Sequence, residues 1–322
     1  MNRVIENGAA PAAASVHTEH TRAINFMRFA PYMTALSILM TVAAVLLITF
    51  KGLNLGLDFT GGTLLEVKYA QEADLEKVRA RLAETGHPEA LVQHFGSARD
   101  VLVRIPPQGN TDQNKLGTDV FESLKAVQPD LELTRTEFVG PAVGEELRDQ
   151  SGVALLAALG LMMLFVSIRF QWRMSLGSVL ALGHDAIIVV GIFALFQWTF
   201  DLTVLAAVLA IIGYSINESI VVGDRVRENF RLLRKGTTAE IINGAVTQTL
   251  SRTVMTASTT FLSALALFLW GGTAIHHFSL AMMIGVSFGT YSSVFVASSL
   301  MMYLGVSRDD YIVVTKEVDD RP

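Results

Sequence analysis

Two carboxylates stand inside long apolar runs: Asp185, preceded by His184, and Glu218, in the stretch Ile212-Gly213-Tyr214-Ser215-Ile216-Asn217-Glu218-Ser219-Ile220-Val221-Val222. A charge inside a membrane span costs several kcal/mol, so such a group faces protein or water, has a partner, and does work. The chemistry open to it is uptake and release of a proton. At the rise of an α-helix, Asp185 lies about 17 Å into its run and Glu218 about 9 Å inside the boundary marked by Asp224. Arg252 opens a later run at a depth similar to that of Glu218. If the two runs are antiparallel neighbours, a Glu218–Arg252 salt bridge is within reach, and protonating the acid would release it. The plainer alternatives are an arginine that only anchors its helix among the headgroups and a glutamate that snorkels to them. Asp185 is too deep for either.

Other chemistries leave no trace. The chain has no phosphate loop ending in Gly-Lys-Ser/Thr, no His-Glu-x-x-His helix and no Gly-x-Ser-x-Gly elbow, so an enzyme of those classes is not expected, nor is a cofactor. His276 and His277 are adjacent and therefore cannot share one helix face, so no metal site is expected there. Nothing points to nucleic acid.

The elements that must hold the two acids follow from composition. Of 322 residues, 51% are hydrophobic and 17% charged, and the mean hydropathy is +0.43, too apolar for a soluble chain of this size. Runs long enough to cross a hydrocarbon core of about 30 Å occur at 32–50, 152–168, 174–198, 202–222, 253–270 and 278–304. The expected fold is a polytopic α-helical membrane protein with six transmembrane helices. The first span lacks a small-residue cleavage site and reads as an uncleaved anchor, with a disordered tail before Thr21.

Basic residues set the orientation, because they are retained on the cytoplasmic side. Arg3, Arg22 and Arg28 precede the first span; Arg169 and Arg173 join the second and third; Arg225, Arg227, Arg231, Arg234 and Lys235 join the fourth and fifth. The loops at 199–201 and 271–273 have none. Both termini are expected to be cytoplasmic. The division is then a cytoplasmic tail at 1–30, the first helix at 31–50, an exterior (periplasmic) domain at 51–149, helices two to six at 150–306 and a cytoplasmic tail at 307–322. With no cysteine in the chain, that domain has no disulfide.

The exterior segment carries eleven Lys/Arg against seventeen Asp/Glu. Its pattern alternates as a strand at 63–69, turns helical at 73–84, gives short apolar strands at 90–95 and 101–105, breaks at 106–110, and continues as a helix at 112–127 and a strand at 131–139. The order β-α-β-β-α-β predicts a ferredoxin-like α+β layer, which by itself assigns no function.

Four motifs stand in order along this frame: Gly56-Leu57-Asp58-Phe59-Thr60-Gly61-Gly62 after the first span, Val139-Gly140-Pro141-Ala142-Val143-Gly144-Glu145-Glu146-Leu147 before the second, Gly183-His184-Asp185, and 212–222 followed by Asp224-Arg225-Val226-Arg227-Glu228-Asn229. Together they resemble the SecF side of the SecD/SecF family, within the resistance-nodulation-division superfamily, over about 25–306. The resemblance implies a non-enzymatic subunit that uses the proton-motive force, beside SecD on the SecYEG channel, to assist preprotein export across the bacterial inner membrane. The implied partners are SecD, SecYEG, YajC, YidC, preproteins, protons and membrane lipids. It also implies that Glu218, at a position where the family usually has Asp, and Arg252 belong to a proton-responsive site, to which depth adds Asp185. Asp58, Gly61 and Gly62 are expected to form a hinge between span and domain, since paired glycines permit unusual backbone angles; a mere tight turn is the alternative. Gly285, Gly289, Ser293 and Ala297 form a small-residue ridge suited to close helix packing, inside this chain or against SecD. The loop 224–235, net +3, reads as a cytoplasmic anchor and secondarily as a surface for anionic lipid.

Two other classes compete. A small-molecule or lipid exporter of the same superfamily would need two six-span halves and larger exterior domains. A passive assembly factor would need no titratable group.

Overall fold

The computed structural model describes residues 23–107, 113–233 and 235–307. The expected tails before residue 23 and after 307, with Arg3, Arg22 and Arg234, lie outside them, as does most of the break at 106–110.

A 3-10 turn at Phe26–Phe29 leads into α1 (Ala30–Phe50), whose start carries Pro31 where a missing backbone donor is harmless. Then come β1 (Asn54–Leu55), α2 (Leu57–Thr60), β2 (Gly62–Lys68), α3 (Leu75–Glu84), β3 (Leu91–Phe95), β4 (Ser97–Ile105), α4 (Gln113–Lys125) and β5 (Glu132–Val139). The remainder is α5 (Pro141–Arg169), α6 (Trp172–Phe196), β6 (Thr199–Phe200), α7 (Leu202–Leu232), α8 (Thr238–Trp270) and a last span, α9 (His276–Tyr291), which passes through a π-helical segment at Ser292–Ala297 into α10 (Ser298–Tyr303).

Among the described residues six helices are long and apolar enough to cross a membrane. They divide into a centre and a rim. In α6, α7 and the last span 56%, 50% and 50% of the most apolar stretch is buried, against 11%, 6% and 11% in α1, α5 and α8. The acids expected to do chemistry both belong to central helices. Several helices outrun the bilayer: 29 residues of α5 extend about 44 Å at helical rise, so its first turns, with Glu145, Glu146, Arg148 and Asp149, project beyond the apolar span. The helix begins at Pro141, directly after β5.

The small-residue ridge packs within the chain. A side chain at Gly285 would overlap that of Ile211, and one at Gly289 would touch Tyr214 and Ser215, all on α7. Close approach of α9 to α7 therefore depends on Gly285, whereas at Gly289 an added β-carbon would make only ordinary contact. We expect Gly285→Leu to lower the melting temperature in detergent by several degrees, because overpacking costs about 1–3 kcal/mol. Ile211→Ala in the same chain should restore part of the loss, and an unchanged single variant would show that the two helices do not meet here.

The domain is the expected β-α-β-β-α-β layer. Its sheet has the order β3-β4-β2-β5 and every pairing is antiparallel, with Leu65 opposite Val103 and Thr63 opposite Phe138. Alternation places Leu65, Val67, Val101, Val103 and Ile105 on one face, against Val78 and Leu82 of α3 and Leu116, Val120 and Leu124 of α4. The opposite face sets Leu64 and Leu102 on Leu57 of α2. Asp74 caps α3 by accepting from the amides of Glu76 and Lys77.

Candidate functional site: a buried polar seam and the joint above it

Asp185 lies near the middle of α6 and is fully buried. The Ser215 hydroxyl of α7 donates to its Oδ2 at 2.5 Å, and Nδ1 of His184 stands 2.9 Å from its Oδ1. Ser292, first residue of the π segment, stands beside the same carboxylate. A π turn inserts one extra residue per turn and widens a helix locally, a feature common where helices serve a function.

Glu218 follows Ser215 by three residues on α7, so both point to one side, about 5 Å apart along the axis. It is 1% exposed. Its Oε1 accepts from the Thr256 hydroxyl of α8 at 2.8 Å, and its Oε2 is buried without a partner. The side chain therefore points into protein and does not snorkel.

The ion pair expected between Glu218 and Arg252 is not formed. Thr256, one turn further along α8, takes the acid, and Arg252 is exposed on the rim, in no ion pair among the described residues. The two helices are neighbours, as that pairing required, but Arg252, one turn from Thr256, is exposed and the threonine hydroxyl meets the acid. Residue spacing gives depth and the angle between side chains of one helix, not which atom of a neighbouring helix each will meet.

Among the described residues, eight buried side-chain atoms lack a hydrogen-bond partner, and six belong to α6, α7, α8 and the last span: His184 Nε2, Glu218 Oε2, Ser219 Oγ, Thr253 Oγ1, Ser292 Oγ and Ser299 Oγ. An orphaned buried polar atom costs about 1–3 kcal/mol; one of these belongs to Glu218 itself, one to the His184 ring that meets Asp185, and Ser292 stands at the Asp185 carboxylate. The hydroxyls were missed at the level of sequence because serine and threonine in a span usually bond their own helix, as Thr260 and Ser263 do here.

The second cluster joins the domain to this bundle. Asp58 Oδ2 accepts from the amide of Leu202, the first residue of α7, while Asp201 caps the same helix through the amide of Val204. Two carboxylates thus meet the positive end of the helix that carries Ser215 and Glu218. β1 pairs in parallel with β6, and the Gly56 amide donates to the Phe200 carbonyl at 2.7 Å. Neither short strand was foreseen, since two residues carry no periodic signal.

Gly61 and Gly62 have φ of +66° and +113°, angles that favour glycine. A side chain at Gly62 would overlap the Ile105 carbonyl oxygen, and one at Gly61 would press on Pro141, while Gly144 of α5 packs on Gly61 in return. The two glycine motifs at the ends of the domain are one packed contact. Among the described residues no group of three or more metal-ligating side chains occurs; His277 packs among Phe193, Phe95 and His276.

Comparison with known proteins matches these features to one family. Residues 119–307 match the family described as Protein export membrane protein SecD/SecF, C-terminal, and residues 46–73 the SecD/SecF GG Motif. The chain is 49% identical over 301 residues to the Protein translocase subunit SecF of Pseudomonas aeruginosa, covering 93% of this chain and 98% of that one. It is 44% identical to the subunit of the same name from Escherichia coli O157:H7, covering 92% and 94%. A crystal structure of SecDF from Thermus, described as a translocon-associated membrane protein, superposes with a TM-score of 0.80 at 41% identity, over 88% of this chain and 39% of the longer one. A SecDF structure in a super-membrane-facing form gives 0.65 at 42% identity, over 87% and 38%.

Proposed function

The chain belongs to the SecD/SecF family of protein-export membrane proteins, and from that membership we propose that it is a SecF-type accessory subunit that couples proton movement to preprotein export. Its place in export rests on relatives named as SecF translocase subunits along nearly their whole length. The proton coupling rests on one observation, the buried seam in which Asp185 and Glu218 meet hydroxyls from two neighbouring helices.

In this reading either acid, on taking up a proton, loses its charge and with it the strength of its bond to Ser215 or Thr256. The helices that supply those bonds can then shift against one another. A proton falling through 100 mV supplies about 2.3 kcal/mol, enough that a few bias a conformational equilibrium strongly. The output is the exterior domain, since α7 carries Glu218 at its middle and meets Asp58 at its start. Asp58, Gly61 and Gly62 then form the joint. The difference in TM-score between two SecDF structures of nearly equal coverage, one described as a super-membrane-facing form, supports a family that populates more than one arrangement.

The partner is a SecD-type subunit. In the Thermus relative, 42% identical, the matching stretch is 38% of a longer SecDF chain, and the rim position of Arg252 supports a role across such a contact. SecYEG, with YajC and YidC, would supply the channel assembly in the inner membrane, with both termini in the cytoplasm.

The test is preprotein export in membrane vesicles from cells lacking the chain. Resupplying it should raise export that a protonophore abolishes. Stimulation of equal size after the gradient is collapsed would overturn the coupling and leave a passive assembly role.

A further inference from the structure

Between the domain and strand β1 lies a cavity of about 540 Å³, lined by Leu53, Asn54, Arg79, Gln93, Arg104 and Gln197 among others. Arg104 reaches into this region from β4. It is 9% exposed, donates to the Leu55 carbonyl and, at 2.7 Å, to Asn54 Oδ1, and faces no carboxylate among the described residues. Both partners are neutral. A buried guanidinium without a counter-charge is costly, and burial pushes its pKa down with no neighbouring charge to oppose it. Arg79 adds a second guanidinium at the wall, where it donates to the Val92 carbonyl at 2.8 Å and pairs with Glu76, whose side chain is largely exposed.

The height of the cavity narrows the choice of anion. Its floor, Leu53 to Leu55, follows the end of α1 at Phe50, and Gln197 ends α6. Phe50, Phe196 and Trp270, at the domain-side ends of α1, α6 and α8, are 83%, 58% and 80% exposed, as aromatic side chains at a membrane–water boundary are. The cavity therefore opens at the level of lipid headgroups, on an otherwise acidic domain.

We propose that Arg104 and Arg79 form a binding site for the phosphate of an anionic phospholipid in the leaflet on the domain side. Guanidinium groups suit phosphate because their fixed N–H fork matches two of its oxygens; Asn54 and Gln93, which line the same cavity, each keep one amide hydrogen beyond those given to the Gln197 carbonyl and the Thr199 hydroxyl. An occupied site would tie the β3–β4 hairpin to β1 and steady the domain against the bilayer.

The full chain in dodecyl maltoside is titrated with dioctanoyl phosphatidylglycerol, dioctanoyl phosphatidylcholine, inorganic phosphate and a short acidic peptide. Retained adducts are read by native mass spectrometry, together with the shift in melting temperature. Phosphatidylglycerol should bind saturably, at least tenfold more tightly than phosphatidylcholine. Arg104→Gln, which removes the charge and the two terminal nitrogens, should weaken it at least tenfold, and Arg79→Gln severalfold. Lipid held at other basic surfaces is unchanged in both variants. Because the Arg79 side chain is 45% exposed, its variant folds even if the Arg104 variant does not. Undiminished binding in Arg79→Gln and in any folded Arg104→Gln overturns the site. Equal affinity for inorganic phosphate, or preference for the peptide, overturns the lipid as its occupant.

Discussion

Replacing Glu218 by Gln should reduce export in membrane vesicles to the level seen without a proton gradient, while leaving the amount of folded protein unchanged. Glutamine has nearly the volume of glutamate and retains a carbonyl oxygen for the Thr256 hydroxyl, now 2.8 Å from Oε1. The amide nitrogen would take the place of Oε2, which has no partner already, so the added cost is about 1 kcal/mol. What disappears is the proton. Glu218→Asp keeps the titratable group one methylene further from Thr256 and should retain most gradient-dependent export. Full export by the Gln variant, at normal expression and with the SecD-type partner bound, would remove Glu218 from the coupling. Partial loss in both variants would point to packing instead.

Gly62→Ala should cost at least about 3 kcal/mol and deplete the folded protein. Two penalties coincide there. A φ of +113° strains any residue with a β-carbon by about 1–3 kcal/mol, and that carbon would overlap the Ile105 carbonyl oxygen of β4. Gly86 is the control, since its φ is +92° and nothing lies within 4 Å of an added β-carbon. Gly86→Ala pays for the angle alone. Folded yield and melting temperature of the two variants in detergent measure the difference. Equal losses would mean that the joint yields to accommodate the clash, and would weaken the case for a tightly packed pivot of Gly61, Gly62, Pro141 and Gly144.

The membrane class, the six spans and the β-α-β-β-α-β layer were legible because each rests on a periodicity that many residues repeat. Val101 to Ile105 or the run from 202 to 222 can be read without knowing what lies opposite. Asp185 and Glu218 were legible for a related reason, because a charged side chain in an apolar run violates the pattern and needs an explanation. The ridge of Gly285 and Gly289 announced close packing, but its partner stayed open until α7 was found against it. Small residues record the distance between two helices and nothing of the second one's identity.

Partners across the sequence were decided by the tertiary structure. Ser215 as the companion of Asp185, Thr256 rather than Arg252 as that of Glu218, and Asp58 as a cap on α7 each join positions 30 or more residues apart. A hydrogen bond needs an angle about a helix axis as well as a depth, and that angle is set by how all six helices pack. The amino-acid sequence alone determined which groups are ionisable and how deep along their spans they lie. Packing determined which atoms they meet, because orientation is a property of the assembled bundle and is written in no single span.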